Sequence, residues 1–397
     1  MPRRAIIVGA GVAGVTAAIA LSQAGFRVAI YERTNTLDEF GAGLQITPNA
    51  TRVLARLGVL EWVLPLALRP RAVVVLRGSD NAELMRMSLD GAEGRWGAAY
   101  LLIHRADLQC ALLHAVRSHS GVELTLGATV LDFKDDGRRI SVGLARGMTQ
   151  TRDEADLLIG ADGLRSQVRD QLGFGAQDQA AFAGHVAYRA LLNADQANSQ
   201  WRESNVILRL GREAHLVQYP LRRGSIINLV ATVRSASPPA GANHADREKD
   251  QGASHSSLER AFTGWSKEAR LLTKGPAQWR AWPIYHRPPI SSFSLGRVAL
   301  VGDAAHPMVP FLAQGAAQAI EDAGALGRIL AQVQDIPAAV SMYSGDRVAR
   351  ATRVQREALK LGRIYHLSGP SAFARDLTMR LLGTCALTQR YDWLYRA

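Results

Sequence analysis

Three glycines near the start of the chain, Gly9, Gly11 and Gly14, stand at the spacing G-x-G-x-x-G inside IIVGAGVAGVTAAIALSQAG. Residues without a Cβ let the backbone turn tightly and come within hydrogen-bonding distance of a bound phosphate. Downstream, at the interval of about 20 residues such turns require, Glu32 offers a carboxylate for a ribose hydroxyl, with Arg33 beside it. Two more aspartates follow apolar runs: Asp162 in DLLIGADGLRSQVR and Asp303 in GRVALVGDAAHPMVPFLAQGAAQAIEDA. A third kind of chemistry is offered by HLVQYP, where His215 and Tyr219 share one side of a strand. A histidine and a tyrosine so placed can hydrogen-bond a phenolic hydroxyl, and an imidazole can take its proton near neutral pH. Each group also has a plainer reading: a turn at Asp162-Gly163, a helix cap at Gly302-Asp303, a polar patch of sheet at His215 and Tyr219.

The elements that must position these groups are legible around them. Ala5–Val8 reads as a buried parallel strand, Val12–Gln23 as an Ala-rich helix with Gly25 at its C-cap, and Phe26–Tyr31 as a second strand. Strand, glycine turn, helix, strand and acid, in that order, form a nucleotide grip, with the helix N-terminus facing the pyrophosphate and Ala13 in its first turn. An export signal is the competing reading of the basic start and apolar run, but its cleavage would remove the glycine turn. A helix is predicted over Asn49–Leu60, strands over 72–76 and 83–88 in a small antiparallel layer, and an amphipathic helix from His104. Strands follow near Val122–Leu126, Thr129–Lys134 and Arg139–Leu144. Residues 183–233 alternate as an antiparallel sheet with one buried face. The segment 235–257 is polar, Pro/Gly-rich and aperiodic, a surface insertion. Arg297–Val301 returns as a buried strand, and from Gln314 onward the pattern is helical. The predicted fold is therefore α/β. A discontinuous Rossmann-like nucleotide domain (1–70, 100–180, 280–340) accepts an inserted antiparallel β-sheet substrate domain (71–99, 181–279), and 341–397 form a helical C-terminus.

Composition narrows the function. The 397 residues carry 47 basic and 35 acidic side chains, a formal charge of +12, yet the basic residues are spread along the chain. The one concentrated run, Arg347 to Arg363, reads as a helix with a solvated or subunit-facing charged side, so nucleic acid is not the expected partner. A modest positive field favours an anionic substrate or a nicotinamide cofactor. Two cysteines, Cys110 and Cys385, cannot make a disulfide framework or a cysteine metal site, which suits a reducing cytoplasm. No apolar run reaches membrane-span length, and no metal-ligand set appears. A dinucleotide longer than NAD needs a grip along several strand ends, which three spaced motifs supply. Asp303 is placed for the ribityl hydroxyls of a flavin, and the N–H groups near Gln314, Gly315 and Ala316 for the negative edge of its reduced ring. There is no second G-x-G-x-x-G, so a nicotinamide would visit rather than reside.

The segments GAGVAG…E, GADGLRSQVR and RVALVGDAAHPM…AQGAAQAIEDA, with GAGLQITPNATR, HRADL, YHRPP and the closing YDWLY, resemble the single-component (class A) flavoprotein aromatic hydroxylases over the whole chain. The likeness is strongest to the branch of salicylate, 3-hydroxybenzoate and 6-hydroxynicotinate hydroxylases. It implies the para-hydroxybenzoate hydroxylase type of fold, noncovalent FAD, NADH or NADPH as transient co-substrate, and O2. It also implies ring hydroxylation through a C4a-hydroperoxyflavin, with or without decarboxylation, by a monomer or homodimer acting on a small aromatic acid. By the same resemblance Arg105 and the Gln45 region touch FAD, Asp162 lies near the nicotinamide/flavin cleft, and Pro307 lies against the flavin ring. His215 and Tyr219 act on the substrate phenol; Val309, Pro310, Phe311 and Tyr188 wall it. The chain departs from that branch at Pro310, where the 3-hydroxybenzoate enzymes carry glutamine, near Phe311, where the 6-hydroxynicotinate enzymes carry histidine, and at His286, where an acid is usual. These leave the substrate and ring position open. A non-oxygenating oxidase or reductase, or a flavin-binding scaffold, are the competing functions.

Overall fold

The apolar run at the start of the chain has hydrogen-bonded neighbours on both sides. Arg4–Val8 lies between Leu157–Gly160 and Arg27–Glu32, parallel to both, with Ala5, Ile6 and Ile7 fully buried. A computed structural model describes residues 2–37, 43–174, 178–196, 201, 203–239 and 258–396, side chains 382–387 excepted. Most of the expected insertion, 240–257, and the five residues 38–42 before Gly43 lie outside the described residues.

Six strands form the nucleotide sheet, in the order Ser294–Leu295, Val298–Leu300, Leu157–Gly160, Arg4–Val8, Arg27–Glu32 and Val122–Leu126. Only Ser294–Leu295 runs antiparallel. Parallel order puts the carboxyl ends of five strands on one edge. The glycine turn, Glu32, the Ala161-Asp162-Gly163 turn and Gly302-Asp303 all emerge there, where open α/β sheets bind ligands. Residues Thr129–Asp135, Ile140–Arg146 and Thr149–Ala155 make a three-stranded meander whose third strand has too few apolar residues to be read from sequence.

The second sheet has seven strands, ordered Arg280–His286, Ala181–Asn193, Ile226–Arg234, Ala214–Leu221, Asn205–Gly211, Ala72–Arg77 and Glu83–Ser88. This extends one predicted layer and moves one predicted boundary. The 72–88 hairpin is no separate layer, because Ala72–Arg77 pairs in parallel with Asn205–Gly211. Arg280–His286, assigned by sequence to the nucleotide domain, pairs with Ala181–Asn193 and belongs to this sheet.

Helices Gly315–Gln332 and Ile336–Tyr365 pack on the nucleotide domain, and the latter reaches the second sheet through Ala358 and Leu361. The basic run on the latter is not simply a solvated face. Arg347 is buried, its Nε 2.7 Å from Asp322 and its Nη1 2.7 Å from Glu321, while Arg350 makes two further bonds to Glu321 at 2.6 and 2.7 Å. Arginine at helical spacing from an apolar stripe can turn inward when two carboxylates await it.

Burial pushes the carboxyls of Glu321 and Asp322 up, but Arg347 acting on both, Arg350 on Glu321 and His306 on Asp322 bring the two below the ordinary carboxylate range. Groups with depressed folded-state pKa values stabilise the fold above their unfolded pKa, near 4, and lose that contribution as pH falls through the folded value. Arg347→Met is expected to lower the stability read by urea unfolding by about 3–5 kcal/mol at pH 7, with the gap to wild type narrowing below about pH 4. A gap that stays constant into acid would contradict this ion pairing.

Candidate active site

Two cavities meet along the carboxyl edge of the nucleotide sheet. One, of about 370 Å³, is bordered by Gly9, Glu32, Arg33 and Asp162. The other, of about 350 Å³, is bordered by Gln45, His215, Tyr219, Asp303, Pro310 and Gly315. Gly11, Arg105, Ala161, Gly163 and Arg189 line both, so the two form one cleft running from the glycine turn to the second sheet.

The glycines at the first end differ in kind. At Gly9, with φ of +102°, an added Cβ would stand 2.6 Å from the Ala161 carbonyl, and at Gly14 it would strike the Gly9 carbonyl; both are packing requirements. A Cβ on Gly11 would meet nothing within 4 Å. That face is open to the cleft, at the N-terminus of Val12–Gln23, which has no side-chain cap. Unpaired N–H groups facing open space suit an anion. Glu32 is fixed to this turn, accepting from the backbone N–H of Ala10 and of Thr34, each at 2.9 Å. Asp162 borders the cavity while accepting from Ser166 Oγ at 2.5 Å and Val168 N–H at 3.2 Å, so it also starts the short Gln167–Gln171 helix.

At the other end, a second uncapped helix start, Gly315 and Ala316, faces the cleft beside Ala13. Asp303 opens into the cavity and hydrogen-bonds no described residue. Partial desolvation within the cleft raises its pKa, opposed by His306 and Arg105, while the side chain stays open to solvent. Tyr100 donates to Gln45 Oε1, orienting the amide on the cavity wall.

Strand alternation delivers His215, Val217 and Tyr219 to the cavity, while Leu216 enters the core and Gln218 turns to Arg209 on the opposite face. Burial lowers the pKa of His215 well below the ordinary imidazole value, with His366 and His185 adding to the effect. Burial raises that of the Tyr219 phenol. Tyr219 lies so close over Gly43 that a Cβ there would come within 2.4 Å of its ring. Val230, Thr232 and Met308 complete this wall.

Several expected residues turn elsewhere. Tyr188 points to the other face of its strand, into the core with Trp279 and Leu272, and its neighbour Arg189 enters the cleft instead. Across the 302–312 loop, Met308 and Pro310 line the cavity, whereas Val309 and Phe311 pack inward with Leu361 and Ala358. Pro307 is held from behind, its carbonyl accepting from Gln355 Nε2 at 3.0 Å, and is not among the cavity-lining residues. The Gln314 side chain lies away from the cleft, donating to Thr47 Oγ1 at 2.9 Å. Arg189 went unassigned from sequence although a lone charge in HVAYRALL was its signal. It is an enclosed guanidinium whose Nε has no hydrogen-bond partner among the described residues, 5.3 Å from the Trp282 ring.

The sequence matches the family model described as FAD binding domain over residues 3–358. The chain belongs to this FAD-binding family. It is similar to 3-hydroxybenzoate 6-hydroxylase of Klebsiella oxytoca, 32% identical over 99% of this chain and 96% of the relative. A 3-amino-4-hydroxybenzoate 2-monooxygenase of Streptomyces platensis is 34% identical over the same shares. Among solved structures, Klebsiella pneumoniae HpxO complexed with FAD and uric acid superposes with a TM-score of 0.86 at 26% identity, covering 99% of this chain and 96% of that one. The cleft fits the family's cofactor on its own terms: an open glycine face for the pyrophosphate, two uncapped helix starts, and an unengaged Asp303 between them.

If Asp303 accepts from the ribityl hydroxyls, Asp303→Ala removes a charge-assisted bond worth roughly 1.5–3 kcal/mol. FAD titration of the apoprotein, followed by flavin fluorescence, is expected to give a Kd on the order of ten- to a hundredfold higher. Unchanged affinity would reduce Asp303 to a loop-end residue.

Proposed function

We propose that the protein is an FAD-dependent, NADH- or NADPH-using monooxygenase that hydroxylates a small hydroxy-aromatic or hydroxypyridine carboxylate, working in the cytoplasm as a monomer or homodimer. The observation that carries the reading is convergence: His215 and Tyr219 open into the same cavity as Asp303 and the Gly315 helix start. The activities named for the relatives favour oxygen insertion over a non-oxygenating oxidase or reductase.

Bound FAD supplies electrons taken from the nicotinamide, activates O2 and provides one oxygen atom to an electron-rich ring. The chain supplies what that chemistry needs around it. Gly11 and the Val12–Gln23 helix start hold the pyrophosphate, Glu32 the adenosine ribose, and Asp303 the ribityl chain. The N–H groups at Gly315 and Ala316 would stabilise negative charge collecting on the flavin ring when FAD is bound. His215, kept neutral by burial, has a free lone pair for the phenolic proton, and its removal raises the electron density of the substrate ring. Tyr219 orients the same oxygen. Arg189 provides the counter-charge for the substrate carboxylate, a role supported by its position in the cleft and its unsatisfied Nε. Met308, Pro310, Val217 and Val230 give the apolar surface that keeps water from the reacting centre.

The purified protein is expected to be yellow, with about one noncovalent FAD per chain, and its NAD(P)H oxidation to rise with particular hydroxybenzoates or hydroxypyridine carboxylates, giving a product heavier by one oxygen. A colourless protein that takes up no FAD, or flavin reduction indifferent to every aromatic acid, would contradict the reading. His215→Ala is expected to slow hydroxylation by about 10²–10⁴-fold with FAD retained and hydrogen peroxide replacing product. Arg189→Met should raise KM for the acid roughly tenfold or more and leave FAD binding near wild type.

A further inference from the structure

His215 does not stand alone. Its Nδ1 lies 2.8 Å from His366 Nε2, and His366 Nδ1 lies 2.9 Å from His185 Nε2. At the far end His185 Nδ1 lies 2.8 Å from the carbonyl oxygen of Ala183. The three rings come from separate elements: the Ala214–Leu221 strand, the C-cap of Ile336–Tyr365, and the Ala181–Asn193 strand. Phe311 meets all three edge-on, with centroids 5.4 to 5.9 Å away, and excludes other partners along that side. Burial falls along the row, from His215 at 4% exposed to His366 and His185, both partly buried with some surface toward solvent.

The carbonyl of Ala183 decides where the protons sit. A neutral imidazole has one N–H donor and one acceptor nitrogen. A carbonyl only accepts, so His185 carries its proton on Nδ1 and its Nε2 accepts. His366 must then donate from Nδ1, which leaves its Nε2 as acceptor. His215 must in turn donate from Nδ1, which leaves Nε2 unprotonated at the cavity end. The opposite polarity would set two lone pairs against each other at 2.8 Å.

We propose that His215, His366 and His185 form a proton relay between the substrate site and solvent, with its direction set by the Ala183 carbonyl. This rests on the hydroxylase reading, in which His215 meets the substrate phenol. Outward, the phenolic O–H breaks and its proton joins His215 Nε2. The Nδ1 proton of His215 passes to His366 Nε2, that of His366 Nδ1 passes to His185 Nε2, and the His185 Nδ1–H leaves the Ala183 carbonyl and gives its proton to water. The phenolate is left with no charge on the rings. Inward, His185 takes a proton from water on Nδ1 and each ring hands one back, so the product oxygen regains its hydrogen and the three tautomers are restored. A buried imidazole is a poor place to store a proton: burial, the His185 ring and the Arg234 and Arg375 charges hold His366 down to about 3. Handing the proton on removes the need to store it.

The resting arrangement is read directly by two-bond ¹H–¹⁵N spectra of the FAD-loaded protein labelled with ¹⁵N-histidine, with His185→Gln, His366→Gln and His215→Gln assigning the peaks. Expected is the Nδ1–H form at all three, against the Nε2–H form usual for free histidine; an Nε2–H form at His366 or His215 would overturn the relay. In turnover, His366→Gln keeps hydrogen-bonding capacity but cannot pass a proton. Its product formed per NADH oxidised is expected to fall at least tenfold while flavin reduction is unchanged. Added imidazole should restore His185→Gly. Full coupling in His366→Gln together with uncoupled His215→Ala would overturn the relay and spare the hydroxylase reading. Full coupling in both would overturn the relay and the role of His215 with it.

Discussion

An arginine shut away from water must find its counter-charges inside the protein, and Arg347 finds two. Its guanidinium reaches Asp322 and Glu321 on the neighbouring helix. Asp322 also accepts from His306 Nε2 at 2.5 Å and from the Gly302 N–H at 2.8 Å, and Glu321 accepts from Asn49, Gln318 and Arg350. One ionic centre thus fixes the loop that carries Asp303, the helix whose start faces the cleft, and the Pro48–Arg56 helix. Removing one member would leave buried charge without compensation, a much larger loss than any surface pair could cause. The same 302–307 loop is held from the opposite side by Arg169, which is paired with Asp178 and donates to the carbonyls of Ala304 and Ala305 at 3.2 and 2.8 Å. The loop that carries Asp303 is therefore tied down on both sides by charges that cannot be solvated elsewhere.

Rigid placement matters because the cleft has little chemistry of its own. Its charged groups are either engaged in the scaffold, as Glu32 and Asp162 are, or left facing the cavity, as Asp303 and Arg189 are. The division follows the chain. Backbone turns at strand ends line one end of the cleft, and side chains of the second sheet line the other. A site divided in this way can change its substrate through the second sheet without disturbing the first.

Much of this was legible in the sequence because it is local. The glycine turn, its strand and helix, and the acid at Glu32 lie within one short stretch, and the two later aspartates each follow their own apolar run. What sequence could not supply is parity and distance. Tyr188 and Arg189 differ by one step on a strand, and one step changes the face. The 3-10 turn at Pro310–Leu312 breaks the simple order that would have put Val309 and Phe311 on the cavity wall. The inward turn of Arg347 needed Glu321 and Asp322 on another helix. The histidine row joins residues 151 and 181 positions apart, which no periodicity in the chain signals.

The central claim is that one atom of O2 enters an aromatic acid held between His215, Tyr219 and the flavin ring. The most direct measurement is turnover under ¹⁸O2 in ordinary water with the acid that most stimulates NAD(P)H oxidation, and mass analysis of the product. The account requires one ¹⁸O atom per product molecule, in the new hydroxyl. An unlabelled product, or NAD(P)H consumption that yields only labelled hydrogen peroxide with the acid unchanged, would contradict it.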